Sequence, residues 1–354
     1  MRNSRTIAAA AATITTLALA GCSQAATPAT ASGTPAPPET EVTVVTHDSF
    51  AVPDAVVTQF EKETGIHVTF VAPGDAGTLT NQLILTKDAP LGDVAYGVDN
   101  TFASRALKED VFADYTSTVP AAADAAKFAI DGSKALTAVD YSDVCLNYDI
   151  GYFKDHKLEA PETLDDLLKP QYKGLLSVSN PATSSPGLAF LLATIGAKGD
   201  GWEDYWAGLA ANGLRVTASW SDTYYTDFSA PNYGGDYPLV LSYASSPPSE
   251  VIDGTATTAA LLDTCFRQVE YVGVLAGAKH PQAAQQVVDW MLSDAFQAEL
   301  PANMYVYPVS SAVDVPADWT EYAPLSPNPW TVAPNDIDAN REAWIKAWTA
   351  VVQP

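Results

Sequence analysis

The sequence has little positive charge and very few cysteines. Its 354 residues include 18 lysines and arginines against 42 aspartates and glutamates, which gives a net charge of −24. Nucleic-acid binding needs a basic surface that neutralises phosphates, so we expect no nucleic-acid partner. The 3 cysteines are too few for a disulfide-scaffolded miniprotein, and no cysteines and histidines have zinc-site spacing. We therefore expect no metal site.

Signatures of catalysis are also absent from the sequence. It has only 4 histidines, and it contains no GxSxG, HExxH or P-loop pattern. Paired carboxylates carry no information in so acidic a chain. The sequence favours a binding protein without a cofactor. An extracellular glycan-active enzyme is the least favoured alternative, since such enzymes combine aromatic platforms with two carboxylates.

The hydrophobic content, 47%, is enough for a large core, and the length suits about two domains. Apolar strand patterns alternate with helical patterns, which is typical of an α/β fold. Segments 141–149 and 268–276 are extended and are expected to carry the chain between two lobes. The other predicted strands are 41–46, 67–71, 93–98, 175–179, 214–218 and 239–243. Helices are predicted from a cap at Asp48 and Ser49 to residue 63, over 78–85, from 186, after 246, and over 281–300 and 337–351.

The N-terminus resembles that of a bacterial lipoprotein. Two arginines precede an uncharged run at 6–20, and the run ends Leu19-Ala20-Gly21-Cys22, which resembles a lipobox. Residues 1–21 are predicted to be a signal peptide and Cys22 to carry lipid. Residues 22–40 are rich in Ala, Pro, Thr and Ser and are predicted to be a flexible tether. The protein is then expected on the outer face of the cytoplasmic membrane, held there by its lipid anchor alone.

Cys145 and Cys265 both lie in extended apolar segments. An export compartment permits oxidation. A disulfide between them and two buried free thiols are both open alternatives.

A series of motifs in a fixed order carries a family resemblance. The motifs are HDSF (47–50), VAPGDAG (71–77), YGVDN (96–100), NPATSSPG (180–187), ASWSDTY (218–224), LSYASSP (241–247) and MYVYPV (304–309). Together they resemble the thiamine-binding lipoproteins and periplasmic proteins of ABC importers. The resemblance implies an α/β, two-lobe type II periplasmic-binding-protein fold with hinge strands. The cleft between the lobes would close around thiamine or its phosphate esters, and the protein would deliver the ligand to a permease and its ATPase.

This resemblance also sets the expected lobes. Residues 41–140 and 270–305 would form the N-lobe, and residues 141–269 and 306–354 the C-lobe. A monomer is expected.

Trp220, Tyr243 and Tyr305 lie in or beside segments that follow predicted strands, where ligand crevices of open α/β sheets form. A thiazolium ring against such faces would gain about 0.5 to 2 kcal/mol of cation–π attraction per ring. The alternative for each residue is ordinary core packing.

The motif Ser-Ser-Pro occurs twice, as Ser184-Ser185-Pro186 and as Ser245-Ser246-Pro247. Serine is a favoured helix N-cap and proline a favoured first helical residue, so both motifs predict a helix start. Free backbone N–H groups at such starts bind phosphate without lysine or arginine. The alternative is capping without a ligand.

Three further residues are candidate ligand contacts. Asp75, in a glycine-rich turn, would accept from an aminopyrimidine or offset the thiazolium charge, and Asp99, after the YGV strand, is a candidate of the same kind. His47 follows the first strand, where relatives often carry tyrosine, and would stack or hydrogen-bond in the cleft. Turn aspartates and a loop histidine are the alternatives.

The competing ligand is ferric ion. Tyr224 and Tyr225 are adjacent, and phenolates are hard oxygen ligands for iron. Neighbouring helical residues point about 100° apart, however, which separates the two hydroxyls. Trp220, four residues earlier, fits a flat organic ligand better.

Overall fold

The computed structural model describes residues 40–130 and 132–353. The predicted signal peptide, Cys22 and all of the predicted tether except Thr40 lie outside these residues. Within the described part of the chain, no helix has the length and apolar character needed to cross a membrane.

The described residues form a mixed α/β fold around one large sheet. Its strand order is β2-β1-β3-β10-β4-β7-β5-β6, with β11 paired to β4, and β8 and β9 form a separate hairpin. The strands are β1 Thr40–His47, β2 Ile66–Gly74, β3 Val94–Asp99, β4 Thr137–Asp149, β5 Leu176–Ser179, β6 Arg215–Thr217, β7 Leu239–Tyr243, β8 Val251–Ile252, β9 Thr255–Ala256, β10 Thr258–Val274 and β11 Tyr307–Pro308.

Helices cover the sheet. The longest are α6, which is almost entirely buried, and the C-terminal α12. The α-helices are α1 Asp54–Thr64, α2 Ala76–Leu85, α3 Ala103–Lys108, α4 Ala122–Ala125, α5 Ile150–His156, α6 Ser185–Lys198, α7 Trp202–Ala211, α8 Pro281–Met291, α9 Asp294–Gln297, α10 Leu300–Met304, α11 Trp319–Tyr322 and α12 Pro334–Val352.

The two longest strands, β4 and β10, join the two halves of the sheet. They run antiparallel to each other from the pair Thr258 and Asp149 to the pair Val272 and Thr137. On one side β10 pairs with β3, which belongs to the parallel group β2-β1-β3; on the other side β4 pairs with β7, which belongs to the parallel group β7-β5-β6. The predicted extended segments 141–149 and 268–276 lie largely within these strands, so the strand prediction is confirmed.

Two large apolar clusters pack against the sheet. One cluster joins β1 and β3 to α1 and α8, where the rings of Phe60 and Trp290 stack with centroids 4.8 Å apart. In the other cluster, Trp206 of α7 meets Trp348 of α12 edge to face, with centroids 5.5 Å apart, and both rings are fully buried.

The first helix begins later than predicted. Asp48 and Ser49 do not cap it: α1 starts at Asp54, and Pro53 occupies the N-cap position. A residue that precedes proline is driven away from the helical region, so the helix cannot extend back through Val52. The predicted stop at Gly65 is confirmed, because Gly65 adopts φ 71° at the C-cap.

The predicted helix over 281–300 is wrong in its length. The chain forms three short helices instead, because α8 ends at Met291 and Ser293 caps a new helix. The Ser293 hydroxyl accepts from the backbone N–H of Phe296 at 3.3 Å. Serine in such a position offers the backbone an alternative to a continuing helix.

Cys145 of β4 and Cys265 of β10 form a disulfide. Both residues are fully buried. The bond lies where the β4–β10 register is interrupted between Leu261 and Phe266, and it ties the two strands together there.

Candidate functional site

A small cavity opens between the two halves of the sheet. About 280 Å³ there is not filled by protein atoms, and about 10 Å³ admits the centre of a water molecule, room for about one water. The lining residues are His47, Ser49, Trp220, Tyr225, Tyr243, Glu270, Asn303, Met304, Tyr305 and Val306. The lining contains no lysine or arginine, so its ionisable groups favour a cationic or neutral ligand.

Aromatic rings form one wall of this cavity. The structure brings together the three predicted aromatic residues: the Trp220 ring centroid lies 5.9 Å from that of Tyr243 and 6.2 Å from that of Tyr305. The Trp220 indole Nε1 donates to Ser242 Oγ at 3.0 Å, which fixes the plane of the ring. Tyr224 stacks on one face of the indole, with centroids 5.2 Å apart. A ligand ring can therefore stack only on the opposite face.

Tyr305 is held by its backbone. It ends α10 in the left-handed region, with φ 57°. Its carbonyl accepts from the Ser245 hydroxyl at 2.5 Å, and Ser245 Oγ is also 2.5 Å from Ser142 Oγ on β4. The left-handed turn directs the Tyr305 ring toward Trp220.

Asp75 does not line the cavity. Its carboxylate caps α2 by accepting from the N–H of Ala76 at 2.6 Å. It also accepts from the backbone N–H of Trp220 at 2.8 Å and of Ser185 at 3.3 Å. Burial raises the pKa of Asp75, while the N–H groups of Trp220 and Ala76 act to lower it. Both carboxylate oxygens accept hydrogen bonds from the protein itself, and Asp75 joins α2 to the aromatic wall.

Asp99 likewise contacts Ser185. Its fully buried carboxylate accepts from the hydroxyl and the N–H of Thr101 and from the N–H of Phe102, at 2.8 to 3.2 Å. The Ser185 hydroxyl also donates to it. Burial raises the pKa of the Asp99 carboxyl to about 7, although the hydrogen bonds from Ser185 and Thr101 oppose the shift. Asp99, like Asp75, thus binds the start of α6.

His47 lines the cavity at the end of β1. Its Nδ1 is 2.9 Å from Ser49 Oγ, and its Nε2 is 3.6 Å from Glu270 Oε2. The ring lies against Gly97, where a Cβ would come within 2.2 Å of the imidazole Cδ2. Only a glycine leaves room for this ring.

The charges around His47 set its protonation. Burial lowers the pKa of the imidazole, but the nearby carboxylates of Glu270, Asp75 and Asp48 outweigh burial, and the net shift is upward. His47 therefore holds its proton more readily than an exposed histidine does.

Glu270 is a cavity residue that sequence reasoning missed. It lies in the C-terminal part of β10 and is 4% exposed. Its Oε2 accepts from the Tyr96 hydroxyl at 3.0 Å, and the same hydroxyl oxygen is 2.5 Å from Asp140 Oδ2. The sequence signal is a single glutamate in the apolar run Val269-Glu270-Tyr271-Val272, at a depth where a carboxylate needs partners.

The two Ser-Ser-Pro motifs differ in structure. Ser184 caps α6 and accepts from the N–H of Gly187 at 3.4 Å, so the first predicted helix start is confirmed. The second prediction is wrong: a single 3₁₀ turn, Pro247–Glu250, is followed by the β8–β9 hairpin. The hairpin forms because Asp253 and Gly254 adopt positive φ, 50° and 73°, as a tight turn requires.

All four serines of these motifs are buried and hydrogen-bonded within the protein. Ser185 donates to Asp99, and Ser246 Oγ is 2.8 Å from Ser242 Oγ beneath the Trp220 indole. Ser246 therefore helps to position the aromatic wall.

The adjacent tyrosines do not form an iron site. Tyr224 is fully buried, and its hydroxyl donates to Glu250 Oε1 at 3.1 Å, whereas Tyr225 is 42% exposed. Burial and then the charge of Glu250 raise the pKa of Tyr224 well above its ordinary value, which opposes the phenolate that iron requires. No group of three or more His, Cys, Asp or Glu residues within 40–130 and 132–353 is arranged to hold a metal.

The fold is that of the type II periplasmic binding proteins, and the candidate site is a cavity between the halves of its sheet. The bacterial extracellular solute-binding protein family model matches residues 89–333. The chain belongs to this family.

Curated relatives extend the match over most of the chain. The thiamine-binding periplasmic protein of Escherichia coli K12 is 31% identical over 324 residues, which cover 88% of this chain and 93% of the relative. The protein of the same name from Brucella melitensis is 28% identical and covers 88% of this chain and 91% of its own length. These relatives are binding proteins rather than enzymes.

Solved structures agree in fold. A periplasmic thiamin binding protein superposes with a TM-score of 0.77 at 29% identity, covering 89% of this chain and 96% of that chain. Iron-bound HitA from Pseudomonas aeruginosa superposes with a TM-score of 0.67 at 21% identity, covering 88% and 99%. The likeness to HitA extends to the fold alone.

Proposed function

We propose that this chain is the extracytoplasmic solute-binding subunit of an ABC importer and that it captures thiamine or a thiamine phosphate ester. The observation that carries the proposal is the cavity itself, where Trp220, Tyr243 and Tyr305 converge beside an acidic group, Glu270. A thiazolium ring is flat and positively charged. Such a ring gains cation–π attraction from aromatic faces, and no lysine or arginine in the lining repels it.

Ligand entry requires the two halves to separate, because the cavity has room for about one water. The proposed N-lobe is 41–140 with 270–305, and the proposed C-lobe is 141–269 with 306–354. The contacts that cross this boundary include Asp75 to Trp220, Asp99 to Ser185, and the backbone hydrogen bond from Thr78 N–H to the Thr183 carbonyl at 3.1 Å. These contacts would form when the lobes close over the ligand. Asp75 and Asp99 would then hold the two lobes together.

The anionic end of a phosphorylated ligand is proposed to lie near the start of α6. Ser184 and Ser185 belong to that start, and the turn with Asp75 and Ala76 packs against it. Ser245 and Ser246 would act by holding Tyr305 and the aromatic wall.

The decisive experiment is a titration followed by tryptophan fluorescence. Thiamine should quench the tryptophan fluorescence of the parent protein in a saturable manner. Trp220→Phe should lose most of that quenching because it lacks the indole at the cavity. A parallel titration with ferric citrate should give no tyrosinate-to-iron absorption band. An iron band together with no response to thiamine would reverse the assignment.

The membrane anchor is proposed on the sequence Leu19-Ala20-Gly21-Cys22. Cys22→Ala should move the protein from the membrane fraction to the soluble fraction of the producing cells, while Ser23→Ala, a matched neighbour, should leave it in the membrane fraction. Retention of Cys22→Ala in the membrane would overturn the lipid anchor. A single species with the mass of one mature chain in sedimentation of lipid-free protein would support the proposed monomer.

A further inference from the structure

Glu270 differs from the other carboxylates of the site because it both lines the cavity and is almost fully buried. Its Oε2 accepts from the Tyr96 hydroxyl at 3.0 Å, and its Oε1 accepts from the Gln268 amide at 3.2 Å. Neither donor carries a charge. A buried carboxylate supported only by neutral donors keeps an unbalanced negative charge, which is costly without a positive partner.

The hydrogen bonds of Tyr96 indicate which carboxyl group carries that charge. Tyr96 has one hydroxyl proton, yet its oxygen lies 2.5 Å from Asp140 and 3.0 Å from Glu270. Both contacts are satisfied if a protonated Asp140 donates to Tyr96 and Tyr96 donates to Glu270. Burial and then the charge of Glu270 raise the pKa of Asp140 well above its usual range, in agreement with this arrangement. Glu270 is then the anionic member of the group.

The positive partner in the described part of the chain is a histidine. Glu270 forms an ion pair with His47, whose Nε2 lies 3.6 Å from Glu270 Oε2. No lysine or arginine among the described residues pairs with Glu270. At 3.6 Å this contact is too long for a hydrogen bond but close enough for charge attraction. The imidazole Nε2 has no hydrogen-bond partner among the described residues, whereas Nδ1 lies 2.9 Å from Ser49 Oγ.

We propose that Glu270 is the counter-ion of the positively charged ring of the bound ligand, and that ligand binding displaces a proton from His47. The inference rests on the proposed function, which supplies a cationic ring at the cavity. Two positive charges beside one carboxylate repel each other, so the ligand cation favours neutral His47. The displaced proton passes to the solvent. The titratable groups that face His47 are Asp48, Asp75, Tyr96 and Glu270.

The first test compares a cationic with a neutral ligand. Glu270→Gln keeps the shape of the side chain and removes its charge. It should weaken thiamine binding at least tenfold, but it should change less than about threefold the binding of an analogue whose thiazolium is replaced by an uncharged aromatic ring. Glu61→Gln is the matched control, because Glu61 also pairs with a histidine, His67 at 2.7 Å, away from the cavity. Equal losses for both ligands, or no loss for thiamine, would overturn the counter-ion role.

The second test measures the proton. Titration calorimetry of the parent with thiamine near pH 6.5, in two buffers of different ionisation enthalpy, should show proton release on binding. His47→Gln, titrated at thiamine concentrations high enough to saturate the variant, should abolish the difference between the buffers. Proton uptake by the parent, or the same release from His47→Gln, would overturn the exchange.

A third test keeps the inference separate from the identity of the ligand. If the parent does not bind thiamine, the proposed function fails. The role of Glu270 is then decided with N-methylpyridinium, a small aromatic cation, which should bind the parent more tightly than Glu270→Gln. In ligand-free protein, the His47 imidazole should titrate at a lower pH in Glu270→Gln than in the parent when followed by NMR. Equal binding of the cation and an unchanged His47 titration would overturn the inference.

Discussion

The carboxylate of Asp75 accepts a hydrogen bond of 2.8 Å from the backbone N–H of Trp220. The same carboxylate caps α2. One side chain thus joins the first turn of a helix in the proposed N-lobe to the residue that forms the aromatic wall in the proposed C-lobe. Because both groups are buried, the bond forms only when the two halves are in contact.

Replacement of Asp75 should therefore favour the open form. We expect Asp75→Ala to weaken thiamine binding about tenfold or more and to lower the stability of the fold by about 1 kcal/mol through the lost cap. Small-angle scattering with and without thiamine measures the opening, and urea unfolding measures the stability. Asp54→Ala removes an exposed acid from the first turn of α1 and serves as the control. A radius of gyration equal to that of the parent in both states would contradict the closing role.

The aromatic wall should supply much of the affinity. Trp220→Ala and Tyr243→Ala should each weaken thiamine binding about tenfold or more, since stacking and cation–π attraction supply about 1.4 kcal/mol, which is a factor of ten. Tyr152→Ala, at a partly buried ring stacked on His156 of α5, is the control and should bind as the parent does. If the two variants are folded and bind within twofold of the parent, these rings serve core packing alone.

Gly97 should be intolerant of a side chain. Gly97→Ala places a Cβ 2.2 Å from the His47 ring at a φ of 99°, so it should destabilise the protein by more than about 1 kcal/mol and displace His47 from the cavity. Gly174→Ala is the matched control, because Gly174 has a φ of 75° and open space around it. Both variants should lose stability, but only Gly97→Ala should lose thiamine affinity. An equal affinity in the two variants would remove His47 from the site.

Asp99 should make stability depend on pH. Its pKa is about 7 in the folded protein against 3.8 ordinarily, so the folded state binds the proton more tightly than the unfolded state does. The resulting contribution to the free energy of unfolding is full below about pH 4 and is lost as the pH rises toward 7. Asn mimics the protonated carboxyl. Asp99→Asn should therefore match the parent near pH 4 and exceed it near pH 8, by up to about 4 kcal/mol at about 1.4 kcal/mol per pKa unit. Urea unfolding at both pH values measures this, and parallel pH profiles would contradict it.

The disulfide should contribute strongly to stability. Cys145 and Cys265 are 120 residues apart in sequence, and closing a loop of that length restricts the unfolded chain by several kcal/mol. Cys145→Ala with Cys265→Ala should lower the free energy of unfolding by about 2 to 5 kcal/mol. Treatment of the parent with a reductant should lower it similarly. An unchanged urea midpoint in both experiments would show that the bond does not constrain the unfolded state.

Local patterns in the sequence were sufficient to predict most of the sheet. Strand β7 has the predicted bounds, and the caps at Gly65 and Ser184 follow from single residues with strong conformational preferences. Such features depend on neighbours in sequence. Trp220 and Tyr243 could also be predicted from local sequence, because they lie at or just after strand ends. Both line the cavity between the two halves of the sheet.

The missed features depend on contacts that are distant in sequence. Glu270 became a candidate only when β10 was placed between β3 and β4, which brings Tyr96 and Asp140 to its carboxylate. The role of Asp75 also required Trp220, which is 145 residues away along the chain. The helix expected after Ser246 failed because a tight turn at Asp253 and Gly254 competes with it. A sequence pattern records the preference of each residue but not which partner it meets.

The pairing of β4 with β10 is interrupted at two places, and only one of them carries a covalent link. The disulfide clamps the two strands near the interruption at Leu261 and Phe266, while the second interruption, between Glu270 and Tyr271, has no covalent clamp. Twisting of the two strands should therefore concentrate beside Glu270. Because Glu270 lies at the interruption without a covalent link, we expect that neutralising its charge with a cation changes the angle between the two halves.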